Sequence, residues 1–207
     1  MEIVKVGGSV AEKIPELIED LKSTEKNFLL IPGGWKFADL VREVDEKYRL
    51  KDITSHWMAI ACMDVYAYFV SNFGVNVVIP KNIDELRNIK GVNVVLPHFI
   101  LKNDSEFLKI PASWGVTSDS ISVWFAMRLG RERVIKVTDV DGVFINGELV
   151  TEISAEELVK LNIRTCVDEF TPKMLKNYGI SMFVCSTKEV KNYILKGKAK
   201  GTLIRGK

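Results

Sequence analysis

Histidine and cysteine are scarce in this chain of 207 residues. His56 and His98 are its two histidines, too few for a histidine-rich metal site. Cys62, Cys166 and Cys185 are odd in number, widely spaced and without a C-x-x-C. That pattern fits reduced thiols and argues against a disulfide framework or a zinc site, so no metal-ligating residue is assigned. An excess of one charge is also missing, since 29 Lys+Arg against 27 Asp+Glu leave +2. Nothing in that balance calls for nucleic acid, whereas a small anion responds to local charge. No apolar run reaches membrane-spanning length and no charged-then-apolar leader opens the chain. A cytoplasmic protein with no membrane partner is the expectation. Repeats, low-complexity tracts and Pro/Gly/Ser linkers are lacking, so residues 1–207 are expected to form one domain.

What is present is an alternation. Short, mostly continuous apolar runs at 2–6, 27–31, 75–79, 92–97, 133–137 and 182–185 read as strands covered on both faces. Helical spacing fills the gaps: Val10, Ile14, Leu17, Ile18 and Leu21, then Leu40, Val41, Val44 and Tyr48. The segment 55–73 is apolar on most sides, which suits a buried helix or a homo-oligomer interface. Ser154 with Glu157, and Ser186 with Glu189, have capping-box spacing. Asn146-Gly147 between VFI (143–145) and ELV (148–150) is a hairpin signal. These features together predict a three-layer α/β/α sandwich with a mainly parallel central sheet.

Two strand ends run into glycine pairs. IVKVGGSV at 3–10 carries Lys5 inside an apolar strand, followed by Gly7, Gly8 and Ser9. Unpaired N–H groups at a helix start bind anions, and glycine lets a phosphate approach the backbone. Lys5 would add a full positive charge. The plainer alternative is a turn with a Ser9–Glu12 capping box. Neither G-x-x-x-x-G-K-[ST] nor G-x-G-x-x-G occurs. LLIPGGWKFAD at 29–39 repeats the arrangement with Gly33 and Gly34. Two such units can face one cleft at the sheet's C-terminal edge, as a phosphate donor and a phosphorylated or acidic acceptor would need. Trp35 either stacks on a flat acceptor or covers the helix start. Thr117, Ser118, Asp119 and Ser120 exceed what one N-cap requires. Thr138, Asp139, Asp141 and Gly142 follow a strand, and their spacing fails as a calcium loop. At 171–173, Thr-Pro-Lys reads as N-cap, first helical residue and an out-of-place lysine, Lys173.

In this order the stretches KVGGS (5–9), PGGWKFA (32–38), TSDSISVWFA (117–126), KVTDVDGVF (136–144), TPKML (171–175) and GTLIRG (201–206) resemble the amino acid kinase family. The resemblance implies an ATP-dependent phosphotransferase using magnesium. It implies that Lys5 bridges the transferring phosphoryl group, with Gly7, Gly8 and Ser9 as the phosphate turn. Gly33 and Gly34 would form the acceptor turn, and Asp119 would orient Lys5 and the donor-side Lys173. Thr138, Asp139, Asp141 and Gly142 would form the nucleotide turn. Two departures stand out: Pro-Gly-Gly-Trp replaces three glycines, and Phe170-Thr171 replaces a glycine pair. SHWMAIACMD (55–64), SWGVTSDSIS (113–122) and CVDEFTPKMLK (166–176) are similar to a shorter subgroup, the kinases of methanofuran biosynthesis. Their acceptor is [5-(aminomethyl)furan-3-yl]methyl phosphate. Trp35 or Trp57 would then supply an aromatic wall, Asp39 or Asp64 a carboxylate for the amine, and Ser118 a further acceptor contact. Uridylate or isopentenyl phosphate kinases, and a non-catalytic nucleotide-binding protein on the same fold, are the alternatives.

Overall fold

The computed structural model describes residues 1–207. The first half runs β1 (Glu2–Val6), α1 (Ile14–Lys22), β2 (Phe28–Pro32), α2 (Trp35–Tyr48), α3 (Asp52–Ser71), β3 (Asn76–Val78), β4 (Val92–Val95) and α4 (Pro97–Lys102). The second half runs α5 (Ser118–Arg128), β5 (Arg133–Thr138), β6 (Phe144–Ile145), β7 (Glu148–Leu149), β8 (Glu152–Ser154), α6 (Ala155–Leu161), α7 (Thr171–Tyr178), β9 (Ser181–Ser186), α8 (Thr187–Lys196) and β10 (Thr202–Arg205). Eight strands make one sheet in the order β3-β4-β2-β1-β5-β9-β10-β8. Within that sheet only the β9–β10 pairing is antiparallel, and β6 and β7 form a separate antiparallel hairpin. Helices cover both faces, which explains why all five residues of β2 are buried and apolar. No helix is long and apolar enough to cross a membrane.

Successive strand residues point to opposite faces. Ile3, Leu29, Ile31 and Val134 enter one core, shared with α5 and α7. Val4, Val6, Leu30, Ile135 and Val137 enter the other, shared with α1 and α8. The predicted stripe of α1 is real: Ile14, Leu17, Ile18 and Leu21 are all buried. On α2 the periodicity marks a helix but not its inner face, because Leu40 and Tyr48 stay exposed while Val41 is buried. α3 buries Ile60, Met63, Tyr66, Ala67 and Val70 and leaves Ile53, Val65 and Tyr68 exposed.

Local signals divide by what competes with them. Asn146 and Gly147 take the two left-handed positions, φ 53° and 85°, of the expected hairpin turn. Both halves of the Ser154–Glu157 capping box form. The Ser186–Glu189 box does not, because Glu189 instead accepts from the Lys200 N–H at 3.3 Å. The run read as a strand to 97 ends at Val95, since Pro97 opens α4. Strands β8 and β10 gave no sequence signal; they have three and four residues and lie at the sheet's far side.

Candidate active site

Parallel register places Lys5 of β1 directly beside Lys136 of β5. Both stand on the face covered by α5, one step along from Ile3 and Val134, and both are buried. Asp119, in the first turn of α5, meets them there. Its Oδ1 lies 2.9 Å from the Lys5 ammonium, and its Oδ2 pairs with the Lys136 ammonium. Lys136 also donates to the Cys166 carbonyl, and the Asp168 N–H donates to Asp119 at 3.1 Å. Burial alone would push the Asp119 carboxyl up; Lys136 and Lys5 more than offset this and hold it well below the usual carboxylate range. Burial lowers the Lys5 pKa, against the pull of Asp119.

The two glycine turns pack against each other above this cluster. The Gly33 N–H donates to the Val6 carbonyl at 2.8 Å, and the Gly7 N–H to the Val137 carbonyl at 3.2 Å. A Cβ on Gly8 would stand 2.6 Å from the Trp35 Cα, so only glycine lets these backbones approach so closely. The Ser9–Glu12 box is not formed: Gly8–Lys13 is a 3₁₀ turn without a side-chain cap, and Ser9 is exposed. Trp35 sits at φ 49°, a strained position for a bulky residue and a frequent mark of functional sites. Its ring rests on Phe69 and Tyr66 at centroid distances of 4.7 and 5.4 Å. Trp35 therefore covers the helix start and lines the cleft as well.

Asp168 fastens the starts of two helices. It accepts from the Thr117 N–H and hydroxyl, both at 2.8 Å, and from the Ser120 N–H and hydroxyl at 3.0 and 2.7 Å. On α7 it accepts from the Thr171 N–H at 2.7 Å and the Phe170 N–H at 3.2 Å. Thr171 is consequently not the N-cap; Phe170 occupies that position and Asp168 satisfies the free N–H groups. The Asp119–Lys173 pairing that the resemblance implied is also absent. Register brings Lys136 to that carboxylate, while Lys173 is exposed on α7 and lines an adjoining cavity of about 830 Å³ with Arg164, Asp168 and Glu169.

A cavity of about 440 Å³ opens over Lys5, lined by Gly8, Ser9, Gly33, Gly34, Trp35, Asp39, Arg42, His56, Met63, Trp114, Thr117 and Ser118 among others. That volume suits a small ligand. Arg42 pairs with Asp39 at 2.8 Å and lies 4.7 Å over the Trp114 ring. Trp114 Nε1 donates to Asp45 at 2.6 Å, which fixes the ring across the mouth. Trp57 and Asp64 do not line this cavity. Trp57 packs on His98 and Phe107, and Asp64 accepts from the His98 N–H at 3.1 Å.

The 138–142 turn lies at the end of β5. Thr138 donates to Asp139 at 3.0 Å. Partial burial works to raise the Asp139 pKa; hydrogen bonds from Ser9 and Thr138 outweigh it and lower the value. Asp141 pairs with Lys200 at 2.5 Å, and Gly142 packs under Thr202 of β10. No three His, Cys, Asp or Glu side chains gather as a metal cage. Magnesium, however, is usually held by one or two carboxylates plus substrate phosphates. Asp139, beside the phosphate turn, fits that role, whereas Asp119 is taken up by lysines.

The profile of the amino acid kinase family matches residues 1–186. The chain belongs to this family. It is 32% identical over 209 residues to the [5-(aminomethyl)furan-3-yl]methyl phosphate kinase of Methanocaldococcus jannaschii, covering 96% of this chain and 94% of that protein. It is 23% identical over 232 residues to the uridylate kinase of Pyrococcus abyssi, covering 98% of each. The crystal structure of a uridylate kinase from Archaeoglobus fulgidus has the same fold, with a TM-score of 0.75, 20% identity, and coverage of 99% and 100%.

The chain is thus a phosphotransferase of the kinase class, and the cluster at Lys5 suits that chemistry. Fixed cations and N–H groups surround a space where phosphoryl charge can be neutralised. Sequence reasoning assigned no role to Lys136, Asp168, Arg42, His56 or Trp114. Lys136 had the same signal as Lys5, a lysine inside an apolar strand. Asp168 had a local signal, an aspartate just ahead of a helix start where it accepts from Phe170 and Thr171, but its partners Thr117 and Ser120 are about fifty residues away in sequence.

Proposed function

We propose that this kinase transfers the terminal phosphoryl group of ATP to the phosphate of [5-(aminomethyl)furan-3-yl]methyl phosphate, yielding the diphosphate for methanofuran biosynthesis. The observation that carries the reading is the buried Lys5 ammonium at the floor of a cavity walled by two facing glycine turns. The 32% identity to a kinase of that name supports the acceptor. Gly33 and Gly34 receive the acceptor phosphate, with Ser118 beside it. Trp35 and Trp114 offer flat apolar surface to the ring, and Asp39 offers a carboxylate to the ammonium arm.

An acceptor phosphate oxygen attacks the γ-phosphorus in line, and the bond to the β,γ-bridging oxygen breaks to release ADP. The acceptor oxygen is already anionic near neutral pH, so no general base is needed. Alignment and charge neutralisation carry the step. Lys5 and the Gly7-Gly8-Ser9 turn hold the transferring group, and Asp119 fixes Lys5. Lys173 reaches the triphosphate from α7, and the Thr138, Asp139, Asp141 and Gly142 turn borders the nucleotide. Asp139 would hold a nucleotide-borne magnesium ion, which supplies further charge neutralisation. A cytoplasmic site of action and a single domain over 1–207 belong to the same proposal. So does a homo-oligomer, docked through the exposed Ile53, Val65 and Tyr68 of α3.

The test is a coupled ADP-release assay offering ATP with a panel of phosphomonoesters, including the aminomethylfuran phosphate, UMP and isopentenyl phosphate. The proposal expects the highest kcat/KM with the furan. A higher value for UMP, or for an acceptor without an amine, overturns the acceptor assignment.

A further inference from the structure

Phosphoryl transfer as described above makes no use of Lys136, yet the fold buries it to 3% exposure in the middle of the sheet. A methionine or leucine would fill a strand position there without the several kcal/mol that desolvating an ammonium costs, roughly. Lys136 lines neither cavity. It therefore touches no substrate in this arrangement and acts through what it holds. Its ammonium holds Asp119 Oδ2, leaving Oδ1 for Lys5, and it also holds the Cys166 carbonyl. Cys166 belongs to the segment that walls the second cavity next to Asp168.

We infer that Lys136 is a positioning residue that divides the Asp119 carboxylate between two ammonium groups, so that Lys5 keeps positive charge directed at the transferring phosphoryl group. Without Lys136, Asp119 would close on Lys5 alone and neutralise it. The inference rests on the proposal that Lys5 contacts that group. The charged groups facing Lys5 are Asp119 from α5, Lys136 from β5 and Asp168 from the segment before α7. Asp119 and Asp168 raise the Lys5 pKa, and Lys136 lowers it. Loss of the Lys136 charge thus moves the Lys5 titration upward. The same tie makes Lys136 the mechanical link between the Cys166–Asp168 wall and the Lys5 floor.

Two variants of the full chain separate charge from packing. Lys136→Gln keeps an N–H donor for Cys166 but removes the charge; Lys136→Arg keeps the charge. Thermal unfolding first establishes that each is folded. Lysine side chains labelled with carbon-13 are then titrated by NMR, the Lys5 signal being identified by its loss in Lys5→Arg. The expected result is a higher Lys5 midpoint in Lys136→Gln and a midpoint near that of the parent protein in Lys136→Arg. With ATP and the best acceptor, kcat of Lys136→Gln falls about ten-fold, the scale on which outer partners of a catalytic group are felt. The alkaline limb of its pH profile moves upward with the Lys5 midpoint, and Lys136→Arg restores part of kcat. A folded Lys136→Gln protein with an unmoved Lys5 midpoint overturns the inference. So does a kcat loss in which the alkaline limb stays in place. Should Lys136→Gln not fold, Lys136→Met is titrated in its place; if neither uncharged variant folds, Lys136 serves the fold rather than Lys5 and the inference is overturned. If no phosphomonoester is turned over by the parent protein, the acceptor proposal falls, while the Lys5 titration still reports on Lys136.

Discussion

Lys5 and Lys173 sit on the same side of one sheet, but different forces place them. Lys5 is 7% exposed and held by strand register, by Asp119 and by the neighbouring Lys136. Lys173 is exposed and depends on where α7 starts. That start is set by Asp168, whose carboxylate joins α7 to α5. The floor of the site is thus fixed before any ligand arrives, and charge is preorganised there. The outer wall presents an exposed cation, which a ligand would recruit under the proposed mechanism at the cost of ordering a long side chain. Preorganised groups contribute to folding and to chemistry together; recruited groups contribute to chemistry alone.

Asp119→Asn breaks the floor most severely. It leaves two buried ammonium groups without a counter-charge, a loss of about 3–5 kcal/mol for such a pair. Urea unfolding should show this drop, and turnover should fall below detection or nearly so. An Asn variant as stable as the parent protein would mean the cluster is better hydrated than the geometry indicates. The pH dependence has a definite sign. The folded pKa of Asp119 is depressed, so its stabilising contribution is present above the unfolded carboxylate value of about 3.9. It disappears only as pH falls through the lower folded value. Acid unfolding should therefore set in at higher pH in Asp119→Asn than in the parent protein.

Lys5→Ala comes next, with kcat reduced by at least ~10²-fold, the scale of removing one transition-state donor. Burial depresses the Lys5 pKa below 10.5, so the working ammonium is lost as pH rises through that lowered value. The parent kcat should then fall on the alkaline side below the range of a free lysine. A flat profile up to pH 10.5 would separate Lys5 from the chemistry.

How far the sequence could foretell this follows the same division. Continuous apolar runs show which strands are central, because helices on both faces leave no polar option, and β1, β2 and β5 were legible for that reason. Lys5 was legible as an ammonium that an apolar strand has no structural need for. Lys136 offered the same sign, but attributing the second lysine to a helix start hid it. Only the register of β1 against β5, a tertiary fact, identifies it as the partner of Asp119. Asp168 was legible only in part: an aspartate ahead of a helix start suits the Phe170 and Thr171 N–H groups, but its contacts to residues 117 and 120, far along the chain, are tertiary. Strands β8 and β10 were too short for periodicity to register.

Lys173→Ala tests the recruited side. An exposed side chain away from special features should change stability by no more than about 0.5 kcal/mol. If α7 delivers this lysine to the triphosphate, kcat should nevertheless fall by roughly 10²-fold. Stability and turnover thus separate at Lys173 and move together at Asp119. Unchanged turnover in Lys173→Ala would remove it from the donor side and leave Lys5 as the cation there.

The smallest effect belongs to the acceptor mouth. Trp114→Phe keeps a ring beneath Arg42 but loses the Nε1 donor to Asp45, a hydrogen bond to a charged group worth about 1.5–3 kcal/mol at most on this half-buried site. The loop bearing Trp114 then swings more freely, while Lys5, Asp119 and Lys136 keep their places. Such a change weakens acceptor binding without altering the transition-state cluster, so KM for the phosphomonoester should rise several-fold with kcat nearly constant. KM for ATP should hold. A drop in kcat with constant acceptor KM would place Trp114 in the preorganised part of the site and move the boundary between floor and wall outward to the 113–117 segment.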